Sequence, residues 1–218
     1  MAKAQILKET ENFAQKMMAD VTVPAHDFSH VLRVRNWAQK IAKLEKVDSF
    51  KIQMVALLHD IGRGKEDFKK GLAHAEMSEI LARAYLEKIK DISSLDREQI
   101  LEAIKRHSKG RKTDAKLTQV FQDADRLDAM GIIGIVRSII FYHKMEICNS
   151  LDSFKKRWSQ EEIDAKRSKG QEVSNDIVGS IILALSFYDV MNTKSGKLLA
   201  KHLVREMKDF LIKLKKEL

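Results

Sequence analysis

Apolar side chains recur along the chain at the three- and four-residue steps of an α-helix, and hardly anywhere with the alternation of a strand. The pattern predicts helices over about 3–19, 28–46, 50–60, 74–90, 96–108, 115–129, 131–147, 175–190 and 195–216. Asp48 or Ser49, Asp96, Thr113 or Asp114, and Ser174 are the expected caps of four helix starts, while Gly62, Gly110 and Gly131 mark stops. The stretch 151–174, charged and carrying Trp158, reads as a short helix followed by a mobile loop, SKGQEVSN. No repeat or low-complexity linker divides the chain. The reading is all-α: a single-domain helical bundle over residues 1–218, with a motif-bearing core at about 20–147 and C-terminal helices at about 175–216 packed on it.

Several helices break their own apolar stripes. His30 shares a face with Val34, Trp37 and Ile41; His59 continues Ile52 and Val55; His107 continues Ile100 and Ile104. His74 opens the stripe of Met77 and Leu81, and Asp125 follows Phe121 by one turn, with Asp128 a turn further on. Asp60 sits beside His59 where the glycines of HDIGRG turn the chain, and Asp123 is expected on the outside. A buried polar group without a partner costs about 1–3 kcal/mol, and a buried charge more, so these residues need something to compensate them.

Composition narrows what that is. A single cysteine, Cys148, excludes an internal disulfide and suits a reducing cytoplasm. No segment has the ~20 uninterrupted apolar residues of a membrane span, and MAKAQILKETENFAQ lacks the apolar centre of a secretory signal. With 40 Lys+Arg against 31 Asp+Glu the net charge is +9, which favours anionic partners. Residues 194–218 hold eight basic and three acidic residues, so +5 of this lies in the last helix, read as a solvated face. A nucleic-acid surface is the less favoured alternative, since no aromatics interleave with those charges. The stripe Leu199, Leu203, Phe210 and Leu214 is suited either to internal packing or to a second subunit of a homodimer.

Imidazoles and carboxylates converging inside a helical bundle are what a metal site needs. Four His and two Asp without a thiolate disfavour structural zinc and suit one or two divalent ions of Fe, Mn, Ni, Co, Zn or Mg. Shared between two ions, six ligands leave positions for water and substrate, with Asp60 as the natural bridge.

The segments HDFSHVLRVRNWA, ALLHDIGRGK and FQDADRLDAMGIIGIVR resemble the HD superfamily of metal-dependent phosphohydrolases, specifically its stand-alone bacterial and archaeal members. GKLLAKHLVREMKDFL resembles that subgroup's closing helix, so the resemblance runs over roughly residues 20–215. It implies His30, His59, Asp60 and Asp125 as ligands of a first metal. His74 in HAEMSE and His107 in IKRHSKG are similar to the two added histidines of the two-metal branch, which includes dinucleoside tetraphosphate hydrolases and cyclic-dinucleotide phosphodiesterases. The ADRLDA segment is closer to pyrophosphatase-like relatives that often lack those histidines.

The expected activity is hydrolysis of a phosphate ester or anhydride by metal-activated water, the substrate being a phosphate-containing small molecule such as a nucleotide. Asp60 is the candidate that orients the water or takes its proton. Arg63 and Arg111 are candidates for stabilising phosphoryl charge, and His26, Lys65, Lys109 and Lys112 for holding the substrate. Asp128 is placed to back a ligand histidine through its second ring nitrogen, and Arg126 is read as an alternative phosphate contact or an ion-pair partner. Two rivals use the same residues differently: a diiron oxygenase on the HD fold, and a non-catalytic metal-containing binding or nucleic-acid module.

Overall fold

The segment Ile52–Leu58 is helical and buried on every side, and four other helices pack around it. The computed structural model describes residues 2–23, 25–70, 72–108, 113–167 and 169–218, with Phe68, Gln160 and Arg167 described by their backbone alone. The elements are α1 (Lys3–Met17), α2 (Phe28–Glu45), α3 (Ser49–Leu58), α4 (His74–Leu86), α5 (Ser94–Arg106), α6 (Lys116–Asp128), α7 (Gly131–Phe141), α8 (Gln160–Arg167), α9 (Ile177–Ser186) and α10 (Lys194–Glu217). Short 3-10 turns occupy Phe68–Lys70 and Leu151–Lys155, and there is no strand among the described residues. The fold is all-α, as the periodicity predicts. No helix is long and apolar enough to cross a membrane among the described residues.

Several ends differ from the expected ones. Asp48 does cap α3, its Oδ1 accepting from the Lys51 amide at 2.8 Å. The cap of α5 is Ser93, which accepts from the Asp96 amide, so Asp96 falls in the first turn instead. Asp176 caps α9 by accepting from the Gly179 amide, while the Ser174 hydroxyl donates to the Asp176 carbonyl and accepts from the Asp176 amide. Thr113 accepts from the Ala115 amide, and α6 starts at Lys116 without a side-chain cap. Gly131 opens α7: its φ of +67° turns the chain, and a Cβ there would lie 2.7 Å from Leu203 Cδ2. That helix ends at Phe141, well short of the expected 147. Gly110 lies outside the described residues.

The expected mobile loop is partly packed. Val173 and Ser174 are buried, with Val173 joining Ile163 and Leu183 in a small cluster against Trp158. In α10, Leu203 belongs to the main core and Leu199, Phe210 and Leu214 pack against it, so this stripe is used internally.

The helix α6 runs through the middle, against α2, α3, α5, α7 and α10. From 117 to 130 no residue is exposed. Asp123, expected outside, is fully buried: its carboxylate accepts from the Asn192 amide and from the Thr193 amide and hydroxyl, each at 2.8 Å. It thereby anchors the turn between α9 and α10. Those partners lie about 70 residues downstream, where no local pattern reveals them.

Candidate metal centre

Five helices bring the six ligand candidates to the centre. His30 lies in the first turn of α2, whose start is fixed by Asp27 accepting from the His30 amide. His59 follows the last residue of α3, and His107 the last residue of α5. His74 opens α4, and Asp125 lies on α6. Asp60 leaves the end of α3 just before the chain turns at Gly62. There the backbone meets α4 so closely that a Cβ would lie 2.4 Å from the Ser78 nitrogen.

The Asp60 carboxylate sits between two pairs of imidazoles. Its Oδ2 lies 3.7 Å from His30 Nε2 and 3.6 Å from His59 Nε2, and those two nitrogens are 3.4 Å apart. Its Oδ1 lies 3.8 Å from His74 Nε2 and 3.6 Å from His107 Nε2, which are 3.2 Å apart. Asp125 Oδ1 closes the first group at 3.5 Å from His30 Nε2. The six predicted ligand candidates are therefore brought together, with one carboxylate shared.

Ring tautomers follow from the outer hydrogen bonds. Nδ1 of His59 donates to the Ala56 carbonyl at 2.8 Å, and Nδ1 of His107 to the Ile104 carbonyl at 2.6 Å. Nδ1 of His30 donates to Asp128 Oδ2 at 2.8 Å. Burial first, and the charge of Arg137 next, push His30 well below the usual histidine range. Burial also lowers His59 against the pull of Asp60. With the proton held on Nδ1, a neutral ring presents a bare Nε2, and the two Nε2 atoms, 3.4 Å apart, are a pair of nitrogen donors suited to one cation.

Asp60 supplies the second half of the test. It is fully buried and its Oδ1 has no hydrogen-bond partner. Burial favours its neutral form, but the Arg63 guanidinium and then His59 hold it well below the usual carboxylate range. Asp125 is likewise lowered against its burial by His30 and His59. For His74, burial and Arg63 lower the pKa. For His107, burial opposes the charge but Asp60 and Asp125 outweigh it and raise the pKa. A buried, ionised, half-unpartnered carboxylate among imidazoles has the donor chemistry of a divalent metal site.

The centre opens on a cavity of about 760 Å³ lined by His26, Arg63, His74, His107 and Asp125 on one side and by residues of α7, α8 and α9 on the other. His26 Nδ1 is buried without a partner, 3.7 Å from Asp60 Oδ2. Burial, and then Arg63, lower its pKa to about 4, so the ring is neutral near pH 7. Arg63 lines the cavity but is committed to Asp60, with Nε donating to Oδ2 at 2.8 Å.

Lys65 does not belong to this group. Its ammonium donates to the carbonyls of Met17 and Ile61, away from the cavity. Lys109, Arg111 and Lys112 lie outside the described residues. Arg126 lines the cavity while bonded to Asp123 and the Val190 carbonyl.

Two arginines that the sequence reading passes over complete the surroundings. Arg33 holds both oxygens of Asp128, and Arg137 donates to Oδ2 at 2.8 Å. Arg137 had one signal to offer: it is the only charge in the apolar run GIIGIVRSIIF.

The chain is similar to several known proteins. The YpgQ protein of Bacillus subtilis is 28% identical over 147 residues, which are 65% of this chain and 68% of its own. The crystal structure of YpgQ in complex with ADP matches with a TM-score of 0.66 at 23% identity, covering 97% of each chain. An HD-superfamily hydrolase of Bacillus thuringiensis matches with a TM-score of 0.73 at 23% identity, covering 99% of this chain and 98% of its own. The protein thus shares the fold of the HD-superfamily hydrolases. The family model of the HD domain matches residues 27–130, the span that carries His30, the His59-Asp60 doublet and Asp125, and this match supports membership of the HD-domain superfamily.

Proposed function

We propose that this protein is a divalent-metal-dependent phosphohydrolase that cleaves a phosphate ester or anhydride bond in a nucleotide. The observation that carries the reading is the Asp60 carboxylate, buried and shared between two imidazole pairs at the wall of a nucleotide-sized cavity. His30, His59, Asp60 and Asp125 would hold a first ion, and His74 and His107, with Asp60 shared, a second. Such ions supply electrophilic polarisation of the phosphoryl group and activation of water.

The chain's own residues do the rest. Asp60 stays ionised because Arg63 balances it, and its position allows it to orient a water or accept a proton. Neutral His26 presents an unpaired Nδ1 to the cavity, where it is suited to a hydrogen bond with a phosphoryl oxygen. Arg63 acts through Asp60 rather than as a free phosphate clamp. Lys109, Arg111 and Lys112, which follow His107, are the proposed cations for the phosphate chain. The ADP bound by YpgQ supports a nucleoside carrying phosphates as the ligand class.

The test is purified protein reconstituted with Mn²⁺, Co²⁺, Ni²⁺, Fe²⁺ or Mg²⁺ and offered nucleoside triphosphates, dinucleoside polyphosphates, cyclic dinucleotides and nucleoside monophosphates. Phosphate or pyrophosphate release that disappears in His59→Ala supports the reading. Oxygen uptake without phosphate release, or no metal-dependent release on any member of the panel, refutes it.

A further inference from the structure

The helix α7 carries one charge into the centre of the molecule, and its two hydrogen bonds end beside two different histidines. Arg137 Nη1 donates to Asp128 Oδ2 at 2.8 Å, the same oxygen that receives the His30 Nδ1 proton at 2.8 Å. Arg137 Nε donates to the Ala25 carbonyl at 3.0 Å. Ala25 has a φ of +64°, a left-handed backbone that an alanine adopts only under constraint, and the next residue is His26.

We infer that Arg137 is a positioning residue that sets both cavity histidines from one guanidinium: His30 through Asp128, and His26 through the left-handed peptide of Ala25. This rests on the metal-centre reading above and extends it to a residue of the cavity wall that is not itself a ligand candidate.

The planar fork explains why an arginine serves here. Its Nε and Nη1 donors point along two fixed directions, one to a carboxylate on α6 and one to a carbonyl before α2. A lysine ammonium meets one acceptor or the other, because a flexible point charge has no such fork. Arg33 also grips Asp128, with Nε at 2.8 Å from Oδ1 and Nη2 at 3.1 Å from Oδ2. Its third hydrogen bond goes to the Ser29 hydroxyl, not to Ala25. The two arginines therefore share the His30 limb, while the His26 limb belongs to Arg137. Phe141, one turn further along α7, packs edge-on against His26 with ring centroids 5.6 Å apart, so the same helix buttresses that ring from the side.

The limbs separate in a comparison of Arg137→Gln with Arg33→Gln. In both, the other arginine still pairs with Asp128, which protects the fold. The readouts are affinity for Co²⁺ alone, by calorimetry, and the ring ¹⁵N signals of the metal-free protein by NMR. Loosening the outer hydrogen bond of a ligand histidine weakens metal binding by about 10–100-fold, and both variants should show this loss. Only Arg137→Gln should also shift the His26 ring signals. If Arg137→Gln does not fold, Arg137→Lys replaces it, and at least one of the two responses must appear.

Unchanged Co²⁺ affinity in Arg137→Gln, or His26 signals that move equally in both glutamine variants or in neither, overturns the inference. If the wild-type protein binds no Co²⁺, the metal reading fails, while the His26 signals still decide the Ala25 limb.

Discussion

Gly62→Ala probes how tightly the doublet is joined to the second histidine pair. A Cβ at this position meets the Ser78 nitrogen at 2.4 Å, Met77 Cβ at 2.7 Å and the His74 carbonyl at 2.8 Å. Non-bonded carbon contacts settle at about 3.5–4.0 Å, so the first turn of α4 has to retreat by roughly 1 Å. None of the three atoms is the free end of a side chain, so rotamer changes bring no relief. Overpacking of this kind costs about 1–3 kcal/mol. The same retreat stretches the buried bond from the Gly62 amide to Ser78 Oγ, now 2.9 Å, a further loss of about 1 kcal/mol. Together these make about 2–4 kcal/mol, which for a chain of this size lowers Tm by on the order of 10 °C. The His74 ring moves with α4, while His30, His59 and Asp125 stay where α2, α3 and α6 hold them. Thermal unfolding and metal analysis should therefore show a destabilised protein whose metal loss matches that of His74→Ala. A Gly62→Ala protein with wild-type Tm and wild-type metal content would refute the reasoning.

Asp60→Asn removes the charge shared by the two groups. Metal retained after gel filtration should fall below one ion per chain, and any phosphatase activity by at least about 100-fold, with helicity by circular dichroism preserved. Chelation should lower Tm and added Mn²⁺ restore it, since an ion at 100 times its Kd stabilises the folded chain by about 2.7 kcal/mol. Glu45 is held by Lys116 first, and then by Ser195, at about pH 2 instead of its ordinary value near 4.5. Because the folded value is the lower one, its contribution is complete above about pH 4.5 and lost as pH falls towards 2. In urea unfolding, Glu45→Gln should cost about 0.5–1 kcal/mol at pH 7 and nothing measurable at pH 2.

What the sequence made legible depended on how local the governing interaction is. The stripes that contain His30, His59 and His107 are helical registers, readable at steps of three and four residues, and all three residues are buried. The possible cap at Asp48 is equally local. Asp123 was misplaced because its partners, Asn192 and Thr193, belong to a turn in another part of the chain. Lys65 looked like a substrate contact from its distance to the doublet, yet the turn after Gly62 sends its ammonium to the C-terminal end of α1. Arg137 was hidden for a different reason. A single arginine in an apolar helix is ambiguous until the carboxylate it meets is known, and Asp128 satisfies it from the preceding helix. The packed part of 169–175 escaped because Val173 is the lone aliphatic residue in a polar stretch and only the fold supplies Ile163 and Leu183 to cover it.

Beyond Lys116, no residue of α6 is exposed. Asp125 looks into the cavity, Asp123 secures a distant turn, Asp128 fixes His30, and Arg126 holds the Val190 carbonyl. Four neighbouring polar residues thus serve four separate tasks within about two helical turns. For anyone diversifying this protein, that segment is an unbroken forbidden block. In a saturation library, α10 should tolerate change in the usual helical rhythm, while 120–128 should reject it at every position. Variation that retunes the cavity has to come from the walls opposite the ligand candidates.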